Sequence, residues 1–280
     1  MPEGDTIFRA ARTMHRVLAG RVVRRFESAY PLVMRVADRH PIVGRTIESV
    51  TSRGKHLLIA FSGGLVLHTH MRMNGSWHLY PDGARWRRPL ADARVIVGCD
   101  GVAAVGFTVP VVELLTPRGL ARHTALRELG PDLLAEPFDR DEAARRVRSR
   151  GRDPIADALL NQRVVAGIGN VLRSEILFLA RVNPFRSAAD LADAELACIV
   201  DTARRVLAAN VMTDTQTLSR VAGRRTTRSL DPSVKLWVYG RRGQPCRRCR
   251  TTIEAAKMGP EARIVYWCSA CQPSLEGGRK

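Results

Sequence analysis

Asn161-Gln162-Arg163-Val164-Val165-Ala166-Gly167-Ile168-Gly169-Asn170 joins two runs, Ile155–Asn161 and Val171–Val182, whose apolar residues recur at helical spacing. The connection is a turn built on Gly167 and Gly169. A helix opening at Asn170 presents free backbone N–H groups, which suit a phosphate. The two glycines do not make a dinucleotide fingerprint, because a third is missing and no strand precedes them. Taken alone, the segment reads equally as a tight structural turn and as a nucleic-acid clamp.

Outward from this turn the helical pattern continues, in Asp141–Ser149 before it and Ala194–Ala209 after it. Pro131 and Pro137 mark where helix takes over from short β-branched runs at Arg21–Glu27, Thr46–Thr51, His56–Phe61, Leu65–His70 and Arg94–Cys99. Ser62-Gly63-Gly64 and Asp100-Gly101 supply hairpin turns. Strands at this spacing, with no helices between them, predict an antiparallel sandwich or barrel rather than a parallel sheet. Ile7, Ala10, Ala11, Met14, Val17 and Leu18 predict an amphipathic helix ahead of it that stops at Gly20. The expectation is an α+β multidomain chain: a β-sandwich domain with a flanking helix over 1–130, a helical domain over 131–234 and a cysteine finger over 235–273. Residues 212–232 read as a loop, Lys235–Tyr239 as a final strand and Pro273–Lys280 as a frayed tail.

Cys246-x2-Cys249 and Cys268-x2-Cys271, separated by 18 residues, have close to the spacing of a four-thiolate zinc ribbon. One structural Zn2+ is expected, since four thiolates leave no open position for catalysis. Lys257, Gly259-Pro260 and Arg263 fall around the hairpin tip of this finger. Cys99 and Cys198 have apolar neighbours and read as core residues.

The chain of 280 residues carries 45 Lys and Arg against 27 Asp and Glu, a formal charge of +18. Such a surface attracts polyanions and points to nucleic acid. Coding bias accounts for Arg over Lys, which occurs only at 55, 235, 257 and 280, but not for the excess of basic over acidic residues. No stretch is long and apolar enough to span a membrane, and the start lacks the layout of a signal peptide, so a cytoplasmic protein is expected.

Met1-Pro2-Glu3-Gly4-Asp5-Thr6 reads two ways. Pro2-Glu3 suits a helix entry. Removal of Met1 would alternatively leave Pro2 with a free secondary amine, unprotonated in part at neutral pH and able to attack a carbonyl carbon. Lys55, in the turn Arg53-Gly54-Lys55-His56, is either a surface charge or a functional amine. His68 and His70 could suggest a metal, but read more simply as strand residues flanking the loop Arg72-Met73-Asn74-Gly75. Met73 at that loop tip is a candidate wedge, because apolar side chains inserted between bases hold a duplex kinked open.

Pro2-Glu3-Gly4, Lys55, the Gln162-to-Asn170 turn, Val238-Tyr239-Gly240-Arg241 and the four-Cys finger together resemble, in order, the formamidopyrimidine-DNA glycosylase and endonuclease VIII family. The resemblance implies a helix-two-turn-helix domain and an enzyme that flips a damaged nucleotide from the duplex, cleaves its glycosidic bond and nicks the strand. It implies that Pro2 attacks C1′ to give a Schiff base leading to β,δ-elimination, that Glu3 protonates the sugar ring oxygen and that Lys55 binds phosphate and supports catalysis. Asn170 and Arg263 match the family's phosphate contacts, Arg72-Met73-Asn74 stands in place of its usual wedge loop, and Glu175 falls where family members place an acid facing the lesion pocket. The implied partner is damaged DNA, and the implied state a monomer at the bacterial nucleoid.

Gly4, Val112–Pro117 and Leu172–Leu177 look like the endonuclease VIII branch, and the Pro-Arg-Arg-Phe-Gly loop of the other branch is absent, which favours oxidised pyrimidines. Thr6 stands where the family usually has a second Glu, the wedge loop differs, and the finger gap is longer than usual. The competing readings are a non-catalytic or lyase-weak DNA-structure-binding protein and a zinc-ribbon RNA-associated protein. The latter leaves the amino terminus unexplained.

Overall fold

The computed structural model describes residues 2–211, 224–229, 231 and 233–274. Most of the loop expected over 212–232, and all but 273 and 274 of the expected tail, lie outside the described residues. The described residues divide into two compact units, one ending at Glu128 and the other beginning at Leu129.

The first unit is a β-sandwich with a flanking helix. Helix α1 (Gly4–Leu18) starts where the Glu3 carbonyl accepts the N–H groups of Thr6 and Ile7. It buries Ile7, Ala10, Ala11, Met14 and Leu18, the face read from the sequence. Strands β1 (Val23–Ser28), β2 (Ile47–Arg53), β3 (His56–Phe61), β4 (Leu65–His70), β5 (Ser76–Pro81), β6 (Ala93–Cys99), β7 (Val102–Phe107) and β8 (Val111–Leu115) follow. They form two antiparallel sheets, ordered β1-β6-β7-β5 and β2-β3-β4-β8. Leu57, Ile59, Phe61, Leu65 and Leu67 share one core with α1 and with Val95 and Val97 of the other sheet. Each such side chain contributes about 1.5–3 kcal/mol on burial. By the alternation of a pleated strand, His56, His68 and His70 lie on the opposite face of β3 and β4. Helix α2 (Pro31–Arg39), which no sequence signal had placed, buries only Val33 and Ala37, too little for a readable period. Short helices α3 (Pro117–Arg122) and α4 (Thr124–Arg127) close the unit.

The second unit comprises α5 (Arg140–Arg148), α6 (Ile155–Leu160), α7 (Asn170–Ala180) and α8 (Asp193–Val211), followed by the hairpin β9 (Glu254–Met258) and β10 (Arg263–Trp267). Asp139 caps α5 by accepting the Glu142 N–H at 2.8 Å. Met258 and Val265 of the hairpin share a core with Ile155, Leu159, Leu172, Ile176 and Leu207, so the finger packs onto the helices. The strand expected at Lys235–Tyr239 does not form. The amides of Trp237, Val238 and Tyr239 donate instead to the carboxylate of Glu175, and among the described residues no strand pairs with the segment.

Candidate functional site

In the first unit, the five expected site residues Pro2, Glu3, Lys55, Arg72 and Met73 stand on a helix entry and two turns. Pro2 is half-buried just ahead of α1, and the Glu3 side chain behind it is fully buried. Asp5 is buried too, and its Oδ1 accepts both the N–H (2.7 Å) and the hydroxyl (3.3 Å) of Thr6. Thr6 thus pairs locally within the first turn of α1. Lys55 sits at the tip of the two-residue turn between Arg53 and His56, which pair across β2 and β3. Gly54 takes φ +57° there, a left-handed conformation that costs a glycine nothing.

The loop after β4 is tight. Gly75 N–H closes it onto the Met71 carbonyl at 2.9 Å, and a Cβ on Gly75 would lie 2.6 Å from that oxygen. Arg72 is held at φ +49° and donates its N–H to His70 Nδ1 at 3.0 Å. The Thr108 hydroxyl donates to the Asn74 carbonyl at 2.8 Å. This bracing leaves Met73 at the tip with 56% of its surface exposed, an apolar side chain held out into solvent.

A histidine cluster that sequence reading left as plain strand residues lies on the same sheet. Glu113 Oε2 is 2.7 Å from His68 Nδ1 and 2.9 Å from His123 Nε2, and His68 Nε2 is 2.8 Å from His56 Nδ1. Hydrogen bonding from His68 and His123 holds the Glu113 carboxyl down at about 2, against the opposing effect of burial. Burial lowers His56 to about 3 and His70 to about 4, with cationic neighbours adding to the effect. His68 and Glu113 are opposite each other across β4 and β8, a pairing invisible without the strand register.

In the second unit the Gly-rich turn is closed by Gln162. Its side-chain N–H groups donate to the carbonyls of Leu160 (2.8 Å) and Ile168 (3.0 Å), and its Oε1 accepts the Gly167 N–H at 3.0 Å. This leaves Gly169 as the N-cap of α7 and Asn170 as its first residue. Asn170 is mostly buried and donates from Nδ2 to the Ile264 carbonyl at 3.0 Å. Arg173, fully buried one turn later, donates to Asn170 Oδ1 (2.7 Å), the Arg263 carbonyl (3.2 Å) and Asp157 Oδ1 (3.1 Å). Burial raises the Asp157 carboxyl more than Arg173 lowers it. Asn170 and Arg263, 93 residues apart, are therefore brought together by Arg173, which sequence reading passed over. The half-exposed Arg263 side chain pairs with Glu261.

Glu175 is fully buried, and its two oxygens accept the N–H groups of Trp237 (2.8 Å), Val238 (2.9 Å) and Tyr239 (2.9 Å) as well as the Thr226 hydroxyl. The expected lesion-facing acid is instead an anchor for the segment leading into the finger, because its lone pairs are taken by backbone donors.

The four cysteines converge as expected. Cys246 and Cys271 sulfurs are 4.0 Å apart, Cys249 and Cys268 3.4 Å, and Cys249 and Cys271 3.5 Å. None is in a disulfide, and four thiolates around a tetrahedral zinc at about 2.3 Å would be about 3.8 Å from one another, so the set fits that metal. Among the described residues, the only other convergence of potential metal ligands is His68, Glu113 and His123. No described helix is long and apolar enough to cross a membrane.

Residues 1–110 match the model of the formamidopyrimidine-DNA glycosylase N-terminal domain and residues 129–222 that of the formamidopyrimidine-DNA glycosylase H2TH domain. The chain is 39% identical over 275 residues to a Streptomyces coelicolor protein named "Probable endonuclease 8 2", covering 97% of this chain and 94% of that one. It is 35% identical over 272 residues to the DNA-(apurinic or apyrimidinic site) lyase Nei2 of Mycolicibacterium smegmatis, covering 97% and 99%. Its fold is that of Lactococcus lactis Fpg solved with an oxidised-pyrimidine DNA, with a TM-score of 0.81 at 21% identity over 98% of this chain and all of that one.

Proposed function

Because this chain belongs to the formamidopyrimidine-DNA glycosylase and endonuclease 8 family, we propose that it excises oxidised pyrimidines from DNA and nicks the strand through a Schiff base on Pro2. It is a DNA glycosylase and AP lyase of base excision repair. The observation that carries the finer reading is the pairing at the start of α1: a half-buried Pro2 followed directly by a fully buried Glu3.

With Met1 removed, the Pro2 nitrogen is a secondary amine. It attacks C1′, the glycosidic bond breaks as the base departs with its electron pair and a proton, and Glu3 protonates the sugar ring oxygen to open the ring. The product is an iminium with no nitrogen proton to lose. It withdraws electrons, so a C2′ proton is lost and the 3′ phosphate leaves. A second elimination releases the 5′ phosphate. Lys55 on its turn and Arg72 beside Met73 contact the backbone, and Met73 fills the space the flipped nucleotide vacates. Asn170 and Arg263 form a second backbone contact. Zinc held by Cys246, Cys249, Cys268 and Cys271 serves structure, holding the β9–β10 hairpin that carries Arg263. Gly4, Val112–Pro117 and Leu172–Leu177, with relatives named endonuclease 8, support pyrimidine lesions. A monomer acting at the bacterial nucleoid completes the reading.

Borohydride reduction on an abasic-site duplex tests it. A covalent adduct should map to residue 2, and an unremovable N-terminal tag should abolish it while DNA binding persists. Glu3→Gln should slow base excision more than nicking of a preformed abasic site. An adduct that survives the blocked terminus and vanishes in Lys55→Ala would move the nucleophile to Lys55. Absence of any adduct would leave a DNA-structure-binding protein.

A further inference from the structure

The face of the β2-β3-β4-β8 sheet turned away from the core carries a hydrogen-bonded chain that the chemistry above does not use. It runs from His123 through Glu113 and His68 to His56, with donor–acceptor distances of 2.9, 2.7 and 2.8 Å. Its proton order can be read from one end. The Leu126 N–H donates to His123 Nδ1 at 3.3 Å, so in the neutral ring the proton is on Nε2, facing Glu113. The carboxylate only accepts, so a neutral His68 ring carries its proton on Nδ1 and offers a lone pair on Nε2. His56 must then donate from Nδ1, which leaves its own Nε2 as a lone pair with no hydrogen-bond partner among the described residues.

The chain ends beside the residues assigned to DNA. His56 directly follows Lys55 and is paired across the hairpin with His70, their rings edge to face at 4.9 Å. His70 Nδ1 accepts the Arg72 N–H, so the neutral His70 ring carries its proton on Nε2. One edge of the sheet thus bears a lone pair and an N–H side by side, between the turn of Lys55 and the turn of Arg72. We propose that Glu113 is a positioning residue for this edge: acting through His68, it orders the tautomer of His56 and so holds the Lys55 turn in its DNA-meeting orientation. Glu113 is suited to this because one of its oxygens meets both His123 and His68, and His68, through which it acts, is almost fully buried. The inference rests on the role proposed for Lys55, and the test separates the two.

The full-length zinc-loaded protein, labelled with 15N-histidine, should show His56 and His68 protonated on Nδ1 and His123 on Nε2. Glu113→Ala should mix the His56 tautomers and slow borohydride trapping at saturating abasic duplex on the order of tenfold, with Cys-bound zinc unchanged and the protein still folded at the assay temperature, though with a lowered melting temperature because His68 loses its acceptor. Glu113→Gln keeps an acceptor oxygen and should restore most of the rate, whereas Glu113→Leu, which keeps most of the volume without an acceptor, should not. Equal trapping rates for wild type and Glu113→Ala would overturn the proposal, as would a Glu113→Gln rate as low as that of Glu113→Ala. So would a wild-type His56 protonated on Nε2, or a second zinc per chain lost in Glu113→Ala, which would make the cluster a metal site. A wild type that gives no adduct counts instead against the glycosylase chemistry of Pro2, and the spectra alone then decide the proton order.

Discussion

Arg173 donates from Nη2 to Asn170 Oδ1 at 2.7 Å, and this bond makes the Gly-rich turn and the finger one interface. The same nitrogen reaches the Arg263 carbonyl, so the start of α7 and the start of β10 cannot separate without leaving a buried guanidinium unsatisfied. Asn170 is committed to Ile264 through its amide, which fixes the orientation of the first α7 turn toward the finger strand.

Replacing Arg173 should therefore cost more than replacing Asn170. Arg173→Met leaves Asp157 without its cation and Asn170 Oδ1 without a donor, and should destabilise the protein by about 3–5 kcal/mol in denaturant unfolding. Asn170→Ala should cost about 1–2 kcal/mol. If the two variants unfold at the same denaturant concentration, the bridging role of Arg173 is refuted.

Arg263→Ala and Asn170→Ala should weaken binding to damaged and undamaged duplexes alike, because backbone contacts carry no sequence information. Arg263→Ala should also reduce the slope of log affinity against log salt by about one. A loss confined to one base sequence would argue for base readout instead.

Metal analysis should find one zinc per chain, lost in Cys268→Ser. Because Met258 and Val265 of the finger hairpin are buried with the α6 and α7 side chains, zinc removal should expose part of the helical core and not merely fray a tip. Increased dye binding by the chelated protein, alongside lost DNA affinity, is the expected pair of signals.

Stability should fall as the solution is acidified from near neutrality. His56 and His70 are depressed to about 3 and about 4, while their unfolded-state values lie near 6.5. Between those limits the unfolded chain binds more protons than the folded one, so unfolding free energy rises with pH through the window. Glu113, held at about 2 against 4.5, extends the same sign of dependence to lower pH. The proton uptake on unfolding, measured near pH 5 in buffers of different ionisation enthalpy, should approach two from these histidines. Removing His56 (His56→Phe) should lower it by about one.

Glu175→Gln should destabilise by about 2–3 kcal/mol, since a neutral amide replaces a carboxylate that accepts three backbone N–H groups. Hydrogen exchange at Trp237, Val238 and Tyr239 should accelerate in this variant ahead of the rest of the unit. Unchanged protection there would show that the carboxylate is not what holds the segment.

Periodic, local features were legible in the residues alone. The α1 face, the edges of β3 and β4, the Gly-rich turn and the cysteine spacing each depend on neighbours within about one turn or one strand, so their patterns survive without a partner. The segment Lys235–Tyr239 shows the limit. Its β-branched and aromatic residues are those of a strand, yet which acceptor its amides find depends on Glu175, more than 50 residues earlier, and only folding brings them together. Arg173 has the same history: in sequence it is one of many arginines, and its burial against Asp157, Asn170 and Arg263 comes from packing α6, α7 and β10 around it. The chain His123–Glu113–His68–His56 requires the register of three strands and a loop, each contributing one side chain to a face where hydrogen bonds act only within about 3 Å. Composition, spacing and the resemblance of a few motifs to a known family were enough to name the parts. Which polar groups satisfy one another was settled by distances that exist only in the folded chain.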